Sequence, residues 1–439
     1  MKYAVVTFGC RVNQADSLGF EEQLLAAGAV SAPPQDADLV VVNSCSVTAT
    51  ADQGTRQTIR RIARDNPHAR IVVTGCYATR RPDEVAALPN VERVILNDDK
   101  PRLIQILKEK TGENAASAEP TSFAASAAFF SENDGPCGAA IEPGVAGRTA
   151  FTLRVQTGCA EPCSYCIIPA TRGVPRSVRV EAILREVDRV TAAGFKEIAL
   201  TGVHLGSYGR DLQPGSSLIG LLRALDAEAI RGGEASAERR LFRISSLEPM
   251  DCSREIIDLV AASERFAPHF HLPLQHASNR VLSAMRRPYT IEDYGSLVDD
   301  IRGRLPHASI GADIIVGFPG ETDHDFEQLA NYLERSPLTH VHVFPYSDRP
   351  GTAASAMPGK VNGVVVRERG RRIREIGQGL TRRFRESLVG TTHRALTLED
   401  GTLAVTANYV KVRIPPGHAR NQWVRVRLTS QDDGELLGG

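Results

Sequence analysis

The chain has 439 residues, of which 42% are hydrophobic and 24% are charged. This length is too great for one compact domain, and the hydrophobic content is sufficient for the buried cores of two or three domains. Its formal net charge is +0, which excludes a uniformly basic or acidic protein. It has no apolar run long enough to span a bilayer. The N-terminus lacks the basic start and long apolar stretch of a signal peptide, so we expect a cytoplasmic protein with no membrane partner.

The first 112 residues alternate between strand-like and helix-like runs. Apolar, β-branched runs predict strands at Tyr3–Phe8, Asp38–Asn43, Arg70–Thr74 and Arg93–Leu96, and helical patterns lie at Gln14–Ala27 and Asp52–Arg64. This alternation predicts an α/β domain over residues 1–112, built on an open parallel sheet with covering helices. Residues 113–147 are rich in Ala, Ser, Gly and Pro and are predicted to be a linker.

A second alternating region covers residues 148–376. It predicts strands at Phe151–Gln156, Lys196–Gly202, Leu241–Ser246, His269–Leu272, Ile310–Val316 and His340–Pro345. Helices are predicted at Val180–Ala193, Leu218–Ala229, Ser253–Ser263, Asn279–Met285, Ile291–Arg304 and Asp323–Arg335. Six such βα units are typical of an open, partial (β/α)6 barrel.

The C-terminal region, residues 377–439, follows an Arg-rich stretch, Arg367–Arg385, that has a helical pattern. Strand-like runs at His393–Glu399, Thr402–Ile414 and Gln422–Thr429, with a hairpin signal at Asp400-Gly401, predict a small β-barrel. From Lys360 to Ser430 there are fifteen Lys or Arg residues against five acidic ones, which favours a phosphate backbone as partner. The stacking and charged side chains predicted to bind RNA are Tyr409, Arg413, Trp423, Arg425 and Arg427. For the Arg-rich helix taken alone, a plain solvated face is the alternative.

Three cysteines form a CxxxCxxC motif directly after the first strand of the central region. Cys159, Cys163 and Cys166 can hold three corners of a 4Fe–4S cluster, which leaves one iron open. An open iron that chelates a small molecule and passes it an electron is what the reductive cleavage of S-adenosylmethionine requires, with an external electron donor. The alternative is a zinc site completed by Cys252 or His204, although no standard zinc spacing is evident.

A second set of cysteines follows three strands of the N-terminal sheet. Cys10, Cys45 and Cys76 each lie just past a strand and before a helical pattern. Because the carboxyl ends of parallel strands meet at one rim, we expect the three thiols to converge and to hold an auxiliary 4Fe–4S cluster. The alternative is three buried small hydrophobic residues. Cys137 and Cys252 have no partner at ligand spacing, and we expect no metal role for either.

The two cysteine sets together resemble the radical S-adenosylmethionine methylthiotransferases, over nearly the entire chain. The resemblance implies an N-terminal methylthiotransferase domain, a radical core and a TRAM-like RNA-binding barrel. Four segments are similar to the branch of the family that modifies N6-threonylcarbamoyladenosine in tRNA: Thr7–Gln14, Leu200–Gly209, Arg243–Pro249 and His342–Thr352. At Gln275–Ser278 the chain has Gln-His-Ala-Ser where the family commonly has Gln-Ser-Gly-Ser.

The resemblance also implies roles for the two clusters. The cluster on the CxxxCxxC loop generates the radical from S-adenosylmethionine, the auxiliary cluster carries or donates sulfur, and a second S-adenosylmethionine supplies the methyl group. Residues expected to bind S-adenosylmethionine are Tyr165, Thr201, His204, Ser246, Glu248 and Gly317. For Ser246 and His204, a satisfied polar residue at the barrel rim is an equal alternative.

The expected reaction is therefore methylthiolation of N6-threonylcarbamoyladenosine at position 37 of tRNA, on the 3′ side of the anticodon. The resemblance leaves two other substrates open, isopentenylated adenosine in tRNA and an aspartate of a ribosomal protein. A zinc-dependent RNA-binding protein is the non-enzymatic alternative. The sequence identifies neither the sulfur source nor the reductant.

Overall fold

The computed structural model describes residues 1–108, 149–231, 240–432 and 435–439. The linker predicted at 113–147, and Cys137 within it, lie outside these residues. The described residues form an N-terminal parallel sheet, a central set of parallel strands and a closed C-terminal barrel, which confirms the predicted fold class. Among them, no helix has both the length and the apolar composition needed to cross a membrane.

The N-terminal part is a five-stranded parallel sheet with the order β2-β1-β3-β4-β5. Its strands are Lys2–Thr7 (β1), Val30–Ser31 (β2), Leu39–Ser44 (β3), Arg70–Gly75 (β4) and Val91–Ile95 (β5), and its helices are Arg11–Ala26, Ala49–Asp65, Cys76–Arg80, Pro82–Ala86 and Leu103–Lys108. Alternate residues of β3 enter two different buried clusters, Val40 and Val42 on one face and Leu39 and Val41 on the other. Burial on both faces explains the continuous apolar run that predicted this strand.

The central part has six parallel strands in two three-stranded sheets, β10-β9-β6 and β11-β12-β13. The strands are Phe151–Arg154 (β6), Glu197–Thr201 (β9), Leu241–Ile244 (β10), His269–His271 (β11), Ser309–Val316 (β12) and His340–Pro345 (β13), and a short antiparallel pair, Gln156–Thr157 (β7) and Arg176–Ser177 (β8), follows β6. A bridge between Phe242 and Phe266 joins the two sheets into one curved wall. The helices are Ile168–Arg172, Val180–Ala192, Leu218–Arg231, Arg254–Ala262, Asn279–Ala284, Ile291–Arg304 and Asp323–Arg335.

The two faces of this wall differ in chemistry. Leu200, Phe242 and Ile314 belong to one large buried cluster with the covering helices. The residues that alternate with them, such as Arg243 and Asp313, point to the concave side. The core therefore lies between the strands and the helices, and the concave side is a polar lumen. This arrangement matches the predicted partial barrel.

A helix of 26 residues, Gly363–Leu388, connects the central part to the C-terminal barrel. The boundary predicted between residues 376 and 377 falls inside it. Its middle is bound to the core, because the Thr381 hydroxyl donates to the Thr339 carbonyl at 3.1 Å. Its end packs into the barrel, where Leu388 joins the apolar cluster. The helix is about 39 Å long and is shared by the two parts.

The C-terminal barrel is closed, with the strand order β14-β15-β16-β18-β17. Its strands are Thr392–Leu398 (β14), Leu403–Thr406 (β15), Lys411–Arg413 (β16), Trp423–Asp432 (β17) and Glu435–Gly438 (β18). The hairpin at Asp400-Gly401 joins β14 to β15, and Gly401 has a φ of +86°. The run predicted as a single strand, Thr402–Ile414, is divided into β15 and β16 by a turn in which Tyr409 has a φ of +67°.

Candidate active site

The CxxxCxxC loop lies at the carboxyl end of β6 and is fixed from three sides. The Cys159 amide donates to the Gly173 carbonyl at 3.0 Å, and the Ser164 amide donates to the Met285 carbonyl at 3.1 Å. The Ser164 carbonyl accepts from the Ala354 amide at 2.8 Å. Residues from distant parts of the core therefore hold this loop, and with it the three cysteines, in place.

The three cysteine sulfurs of this loop influence one another. Burial raises the pKa of Cys166 to about 12, and negative charge on Cys163 and Cys159 adds to the rise. The Cys163 sulfur accepts a hydrogen bond from Arg287 at 3.2 Å, and the Cys159 sulfur accepts one from the Glu161 amide at 3.4 Å. Clustered thiols with donors aimed at their sulfurs fit an iron–sulfur cluster, since such bonds stabilise bound thiolates.

Among the residues predicted to bind S-adenosylmethionine, His204 lies next to the cysteine loop. Its Nε2 is 2.8 Å from Asp251 Oδ2, and its Nδ1 is 3.7 Å from Glu161 Oε1. Burial alone would lower the pKa of His204, but hydrogen bonds to Asp251 and to the Cys159 sulfur outweigh it and raise the pKa to about 10. The raised pKa favours the protonated form of His204 beside the loop, whereas the sequence suggested three other roles for it: cofactor binding, a satisfied rim residue or a zinc ligand.

Glu248 reaches the same loop indirectly. It forms an ion pair with Arg287, whose guanidinium also contacts Cys163. Thr201 is buried at the end of β9, and Ser246 is exposed just past β10. Thus His204 and Glu248 converge on the cluster loop, whereas among the residues that the structure describes no hydrogen bond or ion pair links Ser246 to it.

Tyr165 belongs to the cysteine loop itself, next to Cys166, and Gly317 directly follows β12. Tyr165 packs against a small apolar cluster that includes Phe318, and burial raises its pKa well above the usual value. The Gly317 amide already donates to Glu321 Oε2 at 2.6 Å, so its N–H is engaged within the chain. A role for Gly317 toward the cofactor is therefore limited to its carbonyl or to its lack of a side chain.

The segment that departs from the family pattern, Gln275–Ser278, lies beside this region. His276 is fully buried, and burial lowers its pKa to about 4. Its Nε2 is 3.8 Å from Glu321 Oε2. The Ser278 hydroxyl donates to Asp325 at 2.6 Å, and Asp325 also closes the capping box of helix Asp323–Arg335 with Thr322. The Ser278 amide donates to His276 Nδ1 at 2.9 Å, whereas the buried Nε2 has no hydrogen-bond partner among the described residues.

The N-terminal cysteines converge at the rim of their sheet. Cys10 precedes helix Arg11–Ala26, Cys45 follows β3, and Cys76 begins helix Cys76–Arg80. Burial raises the pKa of Cys45 to about 11, and the charges of Cys76 and Cys10 add to the rise. Gly9 has a φ of +88°, and a Cβ there would lie 2.5 Å from the Cys45 sulfur, so only glycine allows this approach.

A buried cationic group adjoins these three thiols. The Asp16 carboxylate forms ion pairs with Lys100 at 2.8 Å, Arg154 at 2.6 Å and Arg172 at 3.4 Å. Burial alone would raise the pKa of Cys76, but the charges of Arg172 and Lys100 outweigh it and lower the pKa. Arg172 belongs to the core, six residues after Cys166, so the core supplies part of the N-terminal site.

A second contact binds the core to the Cys45 loop. The Arg349 guanidinium donates to the Ser46 carbonyl at 2.7 Å and to Asp52 at 2.9 Å, and its side chain is 3% exposed. On the other side of the rim, the side-chain amide of Asn97 donates to the Thr171 carbonyl at 2.7 Å. Arg172 and Asn97 were not predicted, because each acts on a partner far away in the chain; Arg349 lies in the segment His342–Thr352, but no role was predicted for its side chain.

The predicted RNA-binding residues fall into two groups. Tyr409 faces the core, where Arg243 lies 4.5 Å from its ring centroid and Arg11 donates to its hydroxyl at 3.2 Å. Trp423 lies on the barrel strands, with the Arg394 guanidinium 3.8 Å from its ring centroid. Arg413 is exposed on β16, and Arg425 and Arg427 are exposed on β17, which β18 separates from β16. The barrel surface therefore keeps its basic character, while Tyr409 joins the barrel to the core.

Comparison with known proteins agrees with this architecture. Residues 2–97 match the model of an uncharacterised protein family, UPF0004, and residues 153–333 match the radical SAM superfamily. The solved structure of the radical S-adenosylmethionine methyltransferase TsrM from Kitasatospora setae superimposes with a TM-score of 0.57 at 16% identity, over 81% of this chain and 77% of that one. The fold and the three-cysteine loop define a radical S-adenosylmethionine enzyme, which uses S-adenosylmethionine and a 4Fe–4S cluster.

Curated relatives identify the family within this class of enzymes. The threonylcarbamoyladenosine tRNA methylthiotransferase MtaB of Aquifex aeolicus is 37% identical over 423 residues, 94% of this chain and 96% of the relative. The MtaB of Bacillus subtilis is 33% identical over 92% of this chain and 88% of its own. The tRNA-2-methylthio-N(6)-dimethylallyladenosine synthase of Carboxydothermus hydrogenoformans is 33% identical over 90% and 87%. The chain belongs to the radical S-adenosylmethionine methylthiotransferase family.

Proposed function

We propose that the enzyme attaches a methylthio group to N6-threonylcarbamoyladenosine at position 37 of tRNA and uses two 4Fe–4S clusters to do so. The observation that carries this proposal is the pair of converged cysteine sets in a chain that is 37% identical, over 94% of its length, to a threonylcarbamoyladenosine tRNA methylthiotransferase. Cys159, Cys163 and Cys166 hold the cluster that initiates the radical chemistry. S-adenosylmethionine supplies the oxidising radical when it is bound there.

The charges around the N-terminal thiols support the second cluster. Lys100 and Arg172 are 2% and 3% exposed, and they already outnumber the single carboxylate, Asp16, that they share. Burying unbalanced positive charge is costly unless an anion lies nearby. Three thiolates from Cys10, Cys45 and Cys76 with a bound cluster provide such an anion, whereas three neutral thiols do not.

The chain's own residues have separate tasks in this proposal. Arg287 and the Glu161 amide hold the sulfurs of the radical-generating loop, and His204 with Asp251 places a cation beside it. Arg172 bridges the two sites, because it belongs to the core and acts on Cys76. Tyr165, Thr201, Ser246, Glu248 and Gly317 remain the residues proposed to surround S-adenosylmethionine.

The substrate is proposed to be tRNA in the cytoplasm. The basic barrel, with Arg413, Trp423, Arg425 and Arg427 on its strands, suits the phosphates and exposed bases of an RNA loop. An external electron donor reduces the radical-generating cluster, and a separate sulfur source replenishes the auxiliary site. A target C–H bond on an adenine ring is too inert for acid–base chemistry, which is why a radical mechanism is required.

Mass spectrometry of tRNA nucleosides tests the substrate. A deletion strain should lose the methylthio derivative of threonylcarbamoyladenosine and should regain it with the wild-type gene. Persistence of that nucleoside in the deletion strain would refute the substrate assignment. Loss of the methylthio derivative of isopentenyladenosine instead would place the enzyme in the other tRNA branch, and an unmodified ribosomal-protein aspartate would indicate the third.

Anaerobic reconstitution with iron and sulfide tests the two clusters. The wild type should bind close to eight irons per chain, and a variant with Cys10, Cys45 and Cys76 all replaced by Ala should bind about four. That variant should still cleave S-adenosylmethionine but should transfer no sulfur. Loss of both clusters in the variant would contradict two independent sites, and zinc without sulfide in the wild type would favour a zinc-dependent RNA-binding protein.

A further inference from the structure

The lumen of the core carries a group of polar side chains to which the proposed chemistry gives no role. His271 of β11, Asp313 of β12 and His342 of β13 lie on three adjacent parallel strands. In the sheet register Asp313 is opposite His342, and His271 is opposite Gly311, two residues earlier on β12. Because their sequence neighbours face the buried core, these three side chains point together into the lumen.

The distances among the three side chains suit a metal ion. His271 Nε2 is 3.1 Å from Asp313 Oδ1, and His342 Nδ1 is 3.2 Å from the same oxygen. All three ligand atoms lie within 4.8 Å of one another. A tetrahedral ion with bonds of about 2.0–2.2 Å has ligands about 3.3–3.6 Å apart, so small side-chain shifts admit the ion.

The supporting strands make this geometry stiff. The three ligands are on hydrogen-bonded strands rather than on loops, which limits their relative movement. Gly311 makes room for the imidazole of His340, since a Cβ on Gly311 would lie 2.2 Å from His340 Nε2. The His340 ring centroid is 6.3 Å from that of His271 and 5.6 Å from that of His342.

We propose that His271, Asp313 and His342 form a binding site for one divalent transition-metal ion, distinct from both cysteine sites. Two imidazoles and one carboxylate favour zinc, iron, cobalt or manganese over calcium or magnesium, which prefer oxygen ligands. The His342 side chain is 58% exposed, so the ion retains open positions toward the lumen. Its use in catalysis rests on the proposed function: the carboxylate of a threonylcarbamoyl group is the kind of oxygen donor that such positions accept.

Binding of Mn²⁺ alone, without tRNA, tests the site separately from the proposed function. Cluster-loaded, full-length enzyme is titrated with Mn²⁺, and the six-line electron paramagnetic resonance signal of the free ion is followed. The wild type should remove one Mn²⁺ per chain from solution. Asp313→Asn and His342→Ala should bind more than about 100-fold more weakly, because even changes to outer partners of a metal site cost 10- to 100-fold.

A matched control removes a histidine elsewhere. His324→Ala, on the exposed face of helix Asp323–Arg335, should bind Mn²⁺ like the wild type. Iron and sulfide content and circular dichroism show whether each variant is folded and loaded. The proposal is overturned if the wild type leaves Mn²⁺ free at millimolar concentration, or if folded Asp313→Asn and His342→Ala bind it as tightly as the wild type.

Discussion

Replacing Asp16 with asparagine removes the carboxylate on which three cations converge. The change preserves the size of the side chain but leaves Lys100, Arg154 and Arg172 facing a neutral amide. The Asp16 side chain is 0% exposed, and those of Lys100 and Arg172 are 2% and 3% exposed, so water cannot replace the lost charge. Lys100 follows β5 of the N-terminal sheet, whereas Arg154 ends β6 and Arg172 ends the helix after the cysteine loop, so the shared carboxylate joins the two α/β parts. Without this carboxylate we expect the two parts to separate more easily.

The expected magnitude follows from the burial. Removing one partner of a buried ion pair costs about 3–5 kcal/mol. For a domain of this size, each kcal/mol lost from the free energy of unfolding lowers the melting temperature by about 2–4 °C. Asp16→Asn should therefore melt at a temperature about 6–20 °C lower than the wild type. The shift should be smaller after cluster reconstitution, because the anionic auxiliary cluster then offsets part of the unbalanced charge.

Differential scanning fluorimetry of cluster-free and cluster-loaded protein measures this shift. Asp98→Asn is the matched control, because Asp98 also joins the N-terminal part to a core arginine, Arg176, but its side chain is 76% exposed. An exposed pair contributes at most about 1 kcal/mol, so the control should shift by less than about 4 °C. The electrostatic reasoning would be wrong if Asp16→Asn melted no earlier than Asp98→Asn.

Three further changes test other parts of the structure. Gly9→Ala should prevent assembly of the auxiliary cluster, because its Cβ would overlap the Cys45 sulfur, and iron content should fall by about four per chain. Arg349→Met should cost about 2–4 kcal/mol of stability, because it removes one of the two arginines paired with Asp52 and leaves the buried Ser46 carbonyl without its donor. His276→Gln should reduce the loss of stability at acid pH. The pKa of His276 is about 4 in the folded protein and about 6.5 in the unfolded protein. Protonation of His276 in the unfolded state therefore lowers the wild type's free energy of unfolding by up to about 3 kcal/mol as the pH falls from 6.5 to 4.

Each of these changes has its own control. Gly28 also has a positive φ, +77°, but has open space around it, so Gly28→Ala should retain both clusters. Equal iron content in Gly9→Ala and Gly28→Ala would show that a Cβ at position 9 does not prevent cluster assembly. Arg372→Met, on the surface of the long helix, should melt like the wild type, and Arg349→Met should not. For His276→Gln, denaturant titrations of cluster-free protein from pH 7 to pH 4 suffice; a slope equal to that of the wild type would show that this histidine titrates normally.

The sequence predicted the convergence of Cys10, Cys45 and Cys76 because topology determines it. The carboxyl ends of parallel strands lie at one rim, so residues just past three strands meet whatever their separation in the chain. The same reasoning placed the CxxxCxxC loop at the end of β6. Patterns of period two and 3.6 were enough to recover most strands and helices, since burial imposes those periods.

Long-range polar partners were outside the reach of such patterns. Arg172, Arg349 and Asp16 carry no periodic signal, because their value depends on contacts between parts that pattern analysis treats separately. The contacts of Tyr409 with Arg243 and Arg11 were likewise not predicted, and its stacking on RNA stays a prediction. The predicted boundary at 376 also stays a prediction, although the helix Gly363–Leu388 runs through it.

The contact between Arg349 and the Ser46 carbonyl constrains how the protein is made. These residues are 303 positions apart, so at about 5–20 residues per second the ribosome adds Arg349 about 15–60 s after Ser46. During that interval Arg154 and Arg172 are added, but the Cys45 loop still lacks the guanidinium that binds it in the finished protein. The surroundings of the auxiliary site are therefore complete only after most of the chain has been made.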